Sequence, residues 1–125
     1  MMRLILLFFI TVMAFPWPSY AATTSFTCNF PSMASPSGVK KESEQFELRF
    51  LSDPKTKKTY LLGNSGSSEV TAIENLTGVT FIEITNSGNV MVTAITYSGE
   101  AVHSRNGIME GKLIPSQYYG KCVVQ

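Results

Sequence analysis

Apolar and polar residues alternate with period two through much of residues 79–113. The stretch reads VTFIEIT, NSGN, VMVTAITY, SG, EAVHSR, NG, IMEGKL. Four segments rich in Val, Ile, Thr and aromatics are separated by three Gly-containing turn signals, which predicts an antiparallel meander. A turn at Ser87-Gly88 and two-residue loops at Ser98-Gly99 and Asn106-Gly107 set its register. Ile84 then faces Met91, Ile82 faces Thr93, Ile95 faces Val102, and Ser104 faces Met109. Side chains alternate across a strand, so each register assigns faces. One face gathers Ile82, Ile84, Met91, Ile95, Tyr97, Val102, Met109 and Leu113, the expected core. The other holds Glu83, His103, Arg105, Glu110 and Lys112, with His103 opposite Glu110 as a surface pair.

The rest of the chain extends the same theme. Residues 25–30 (SFTCNF) read as the first strand. Residues 31–43 carry Pro31, Pro36, Gly38 and several Ser without a period, which predicts a long loop. Residues 45–51 (QFELRFL) alternate cleanly: Phe46, Leu48 and Phe50 point one way, Glu47 and Arg49 the other. That is the pattern of a half-buried antiparallel strand. Asp53-Pro54 opens a turn with Lys55, Lys57 and Lys58 at its tip. Residues 59–63 and 69–75 are short strands, with turns at 64–68 and 75–78. Ile114-Pro115 breaks the meander, and residues 116–124 (SQYYGKCVV) close the chain as a last strand. About eight short strands with no helical period predict an all-β domain, a small antiparallel barrel or sandwich.

Residues 1–22 have the layout of a signal peptide: Arg3, an apolar run over 4–15, and small residues at Ser19 and Ala21. Its removal leaves one β domain, residues 23–125, periplasmic or secreted. In an oxidising compartment Cys28 and Cys122, the only two cysteines, predict a disulfide that joins the chain ends. Two thiols and one His fall short of a tetrahedral set, so no metal or cofactor is expected. Lys and Arg number 10 and Asp and Glu 9; without Arg3 the charges balance. A neutral surface argues against nucleic acid and against anionic membranes once the leader is gone. A monomer is expected, with the disulfide within the chain.

Chemistry is sparse. The single His (His103) and single Asp (Asp53) fall at separate loci, which disfavours a Ser-His-Asp triad. The expectation is a non-catalytic binding module for another envelope or extracellular protein. Its candidate surface is the outer face of the meander, with Phe81 and Val92 beside Val79, Val90 and Ala94, rimmed by His103, Arg105 and Lys112. Two readings compete: residues 31–43 fold over this face, or it is a sandwich sheet covered on both sides. Large interior side chains favour a filled barrel over a lipocalin-like carrier of a small apolar ligand, which is the second reading.

A leader, a β-rich domain of the commonest size and one Cys near each end resemble the small periplasmic inhibitors of c-type lysozyme. Ser98-Gly99 stands where that family offers a Ser-Gly loop, and Gly111-Lys112 where it has a later Gly-Lys element. The family's Trp beside that element is absent; Trp17 lies in the leader. The resemblance implies an eight-stranded barrel and inhibition of a cell-wall hydrolase through Ser98 and Gly99.

Overall fold

The computed structural model describes residues 15–16, 22–43, 45–63 and 66–125. Most of the expected signal peptide therefore lies outside the described residues. Nine strands follow in order: β1 (Thr24–Ser35), β2 (Gly38–Lys41), β3 (Glu47–Asp53), β4 (Lys58–Gly63), β5 (Gly66–Glu74), β6 (Gly78–Ile84), β7 (Val90–Thr96), β8 (Glu100–Met109) and β9 (Lys112–Val124). All pairings are antiparallel, and β1 pairs with β9 as well as with β3. Eight strands thus close into a barrel, and β2 folds back on the C-terminal half of β1 as an extra strand. Among the described residues no helix is long and apolar enough to cross a membrane.

A barrel needs its ends joined, and the two cysteines sit at the join. Cys28 and Cys122 are direct partners in the β1–β9 ladder, Cα atoms 3.9 Å apart, and form the disulfide. The bond is compatible with an oxidising, extracytoplasmic location. Further along the same seam the register shifts between Asn29 and Ser32. There β1 bulges onto Gly120, where a Cβ would collide with the Asn29 carbonyl, so the close approach requires glycine.

The interior is filled by aromatics. Phe26, Phe30, Phe50 and Phe81 are all buried; Phe50 stacks on Phe81 with centroids 4.3 Å apart, and Phe26 meets Phe81 edge-on at 5.4 Å. Leu48 and Phe50 lie on the inner side of β3 as the sequence predicts, and Phe46, just before the strand, packs against the same core. An eight-stranded barrel is just wide enough for such a filling.

Three features of the predicted meander differ. At both β6–β7 and β7–β8 the loop has three residues, not two: Gly88 (φ 87°) and Gly99 (φ 103°) add a left-handed residue after a tight turn. Gly88 N–H donates to the Thr85 carbonyl at 3.0 Å and Gly99 N–H to Thr96 at 2.9 Å. This is the three-residue hairpin with a Gly bulge. Each extra residue slips the register by one, so Phe81 pairs with Thr93 and Thr93 with His103. The strand between the two turns, β7, keeps its predicted facing, whereas β6 and β8 are inverted.

The third difference is Asn106-Gly107, which is no turn. Glu110 (φ 51°) and Gly111 (φ 75°) form the two-residue hairpin instead, and the β8–β9 ladder runs unbroken from Glu100–Lys121 to Met109–Lys112. Residues 31–43 are not a loop. They form the outer half of β1 and all of β2, so they lie beside β9 and do not cover the outer face of the meander.

Candidate functional site at the barrel mouth

The two ends of the barrel differ. The β3–β4, β5–β6 and β7–β8 turns lie at one end, with the start of β1 and the end of β9. At the other, two hairpins extend past the closed wall. The β8–β9 arm outruns β7, which stops at the Val90–Asn106 pair; the β1–β2 arm outruns β3, which stops at Asn29–Glu47. Between these arms the barrel has its mouth.

Three rows of inward side chains can be followed across β6, β7, β8 and β9. The deepest is Val79, Ile95, Ala101 and Gly120; the middle is Phe81, Thr93, His103 and Tyr118; the outermost is Glu83, Met91, Arg105 and Ser116. Polarity rises toward the mouth. In the middle row His103 is 1 % exposed, and its Nδ1 shares a 2.6 Å hydrogen bond with Thr93 Oγ1. Phe30, Phe46 and Tyr118 surround the ring with centroids 5.7–5.9 Å away. Burial, reinforced by the nearby Arg105 charge, lowers the imidazole pKa from 6.5 to about 4. At neutral pH it is uncharged.

In the outermost row the charges are not paired with each other. Glu83 Oε1 accepts from Ser68 Oγ at 3.0 Å, while its Oε2 is buried with no hydrogen-bond partner among the described residues. Arg105 is exposed, and its Nε points at Met91 Sδ at 3.4 Å. Met91 stands between them in register. Glu83, Met91, Arg105 and His103 line a cleft of about 350 Å³ with Leu48 and Leu61. Met91 and Arg105 also border a larger groove of about 650 Å³ between the arms. Met33 and Pro36 of the β1–β2 arm form one wall, Met109 and Ile114 of the β8–β9 arm the other. Gly107 keeps the second wall low: a Cβ there would lie 2.9 Å from the Ile114 side chain.

The predicted partner surface is redistributed by this geometry. Phe81 (1 % exposed) and His103 are core, because the two slipped registers turn β6 and β8 over. Val92 does face outward, in a row with Ile82, Ser104 and Gln117, without the charged rim. Arg105 points into the mouth, and Lys112 lies beside the β8–β9 turn. The grouping of Glu83, His103 and Arg105 on one face was legible; that face is the lumen. His103 is opposed by Thr93 and Tyr118, not by Glu110. Ile84 (74 % exposed), Tyr97, Met109 and Leu113, expected as core, are exposed. Ser98-Gly99 and Gly111-Lys112 lie at opposite ends of the barrel.

Sequence reasoning missed Ser68, Met33 and the arms. One available signal was a repeat: Thr85-Asn86-Ser87-Gly88-Asn89 and Thr96-Tyr97-Ser98-Gly99-Glu100 share Thr-x-Ser-Gly. In both, the Thr Oγ1 bonds the Ser Oγ at 2.9 Å and accepts the N–H after the Gly, at 3.1 Å from Asn89 and 3.0 Å from Glu100. Asp53 ends β3, paired with Lys58 next to the β3–β4 turn, at the end opposite the mouth. Among the described residues no three His, Cys, Asp or Glu cluster as a metal site. No family model, curated protein or solved structure matches the chain.

Proposed function

We propose that the chain is an exported, non-catalytic protein-binding module that engages its partner with the two arms and the mouth between them. One observation carries this reading. Met33, Met91 and Met109 line the inter-arm groove, and the arm residues Met109 (61 % exposed), Leu113 and Ile114 leave apolar surface open to solvent. Unbranched thioethers repack easily and suit a surface that must adapt to a partner. Val39 and Ile108, one on each arm, are also exposed. Exposed apolar side chains gathered along a groove mark interaction sites. The disulfide supports a periplasmic or secreted setting. The enclosure of His103 by Thr93 and three rings supports a non-catalytic role. A carrier of a small apolar ligand is the second reading, favoured by a groove volume of about 650 Å³, within the range of small-molecule sites.

A photo-crosslinking residue placed at Leu113 should capture a protein from extracts of the native compartment, and the same residue at Val92 should not. The pair Met109→Ser and Leu113→Ser should abolish capture with little change in Tm, since both side chains are exposed. Adducts at Val92 alone would move the interface back to the outer face of the meander.

A further inference from the structure

We infer that the mouth receives the ammonium group of a lysine side chain on that partner, seated on Glu83 Oε2. This rests on the arm-end reading above and specifies its anchor. A buried carboxylate oxygen without a donor is costly, so a donor belongs there. The residues of the mouth select among donors. A carboxylate bonds a cationic donor more strongly than a neutral one. Its Oε1 is already taken by Ser68, which leaves one oxygen open. A guanidinium fork matches two oxygens, whereas an ammonium needs only one. Leu48, Leu61 and Met91 give the cleft apolar patches among Ser67, Ser68, His103 and Arg105, and about 350 Å³ holds a four-carbon stem with its head. Oε2 itself is covered, so the head reaches it as the unbranched side chain of Met91, the register neighbour of Glu83, shifts aside. Long basic side chains bury such stems against apolar walls.

Arg105 does not fill the role. It forms no ion pair with Glu83 among the described residues, Met91 intervenes, and its Nε is engaged with the Met91 sulfur. Its guanidinium at the rim instead opposes an entering cation. Its removal should therefore strengthen ammonium binding, a sign that a merely structural Glu83 would not produce.

The test uses the protein alone, ¹⁵N-labelled, titrated with n-butylamine at neutral pH. Butylammonium should shift the backbone amides of Ser68, Glu83 and Met91 saturably, and n-butanol, its uncharged counterpart, should not. Glu83→Gln keeps the acceptor for Ser68 and should weaken binding by about tenfold. Arg105→Gln should tighten it by a few-fold. The inference is overturned by any of four results: no saturable shift in the unmodified protein, equal shifts with butanol, undiminished binding to Glu83→Gln, or the same shifts from acetate abolished in Arg105→Gln. If Glu83→Gln does not give a folded spectrum, the comparison of butylamine with butanol on the unmodified protein decides alone. Crosslinking at Leu113 without amine binding would refute the lysine anchor and leave the arm-end reading intact. Amine binding without crosslinking would do the reverse for the partner.

Discussion

An imidazole inside a barrel must be uncharged, hydrogen-bonded and packed, and His103 meets all three conditions. Thr93 bonds Nδ1 at 2.6 Å, and Phe30, Phe46 and Tyr118 close around the ring. Its pKa of about 4 when folded, against 6.5 in the open chain, makes it a sensor of stability. Between those values the unfolded chain holds a proton that the folded one does not. Stability is therefore fully present above pH 6.5 and falls as pH drops through that window. The linkage is worth roughly 3 kcal/mol over its whole span. Urea midpoints followed by far-UV circular dichroism should fall between pH 7 and pH 4.5. His103→Phe should flatten the slope in that interval. His103→Ala should cost about 2–4 kcal/mol at pH 7, as expected for emptying a ring-sized buried site. A loss of only a few tenths would return His103 to the surface, the position the two-residue turns assign it.

At the scale of strands and turns, facing is decided by loop length. The sequence pattern located β3 and its inner face, because QFELRFL alternates without ambiguity. It also located β6, β7 and β8, but Val, Ile and Thr occupy both faces of these strands, so their sides depended on counting loop residues correctly. One residue too few at Gly88 and at Gly99 put Ile84 in the expected core and Phe81 outside, the reverse of their places, and put Glu83, Arg105 and His103 outside the lumen with Phe81. The arms were illegible for a different reason. Met109 and Leu113 follow the same period-two pattern as core residues, and periodicity does not distinguish a face turned to the lumen from one left for a partner. Asn106-Gly107 is the stronger turn signal in isolation, yet Glu110-Gly111 makes the turn, which lengthens the β8–β9 ladder and aligns Gly107 with Ile114. Glu110 holds φ 51°, a left-handed conformation that Asn accepts better than Glu. Glu110→Asn should therefore stabilise the domain by about 0.5–1 kcal/mol, since the Glu side chain is exposed. Thermal melts of the two proteins check this; an unchanged or lower Tm would mean the turn does not hold the type I′ geometry.

For the molecule as a whole, the seam between β1 and β9 is what makes a sheet into a barrel. It carries the one register shift in the β1–β9 ladder, between Asn29 and Ser32, and the disulfide lies at its end away from the mouth. Cys28 and Cys122 close a separation of 94 residues. In the chain-entropy model such a loop is worth roughly 4–5 kcal/mol, and losing a native bond of this kind typically costs about 2–5. Cys28→Ser with Cys122→Ser should lower Tm by at least about 10 °C for a domain of this size. The loss should also be directional. β4 and β5 are held on both sides by continuous ladders and do not touch the seam. Amide hydrogen exchange in the double variant should therefore quicken first at Phe26, Thr27 and Lys121, and later at Leu61 and Val70. Met33 of the groove pairs with Tyr118 on the same seam, beyond the shift. Opening at the cysteines should spread to the β1–β2 arm only once the Ser32–Tyr119 pair also parts. Crosslinking at Leu113 should then persist at temperatures where the variant is still folded. Uniform acceleration across all eight barrel strands would show instead that the ladder alone fixes closure, with the disulfide acting only on the unfolded chain.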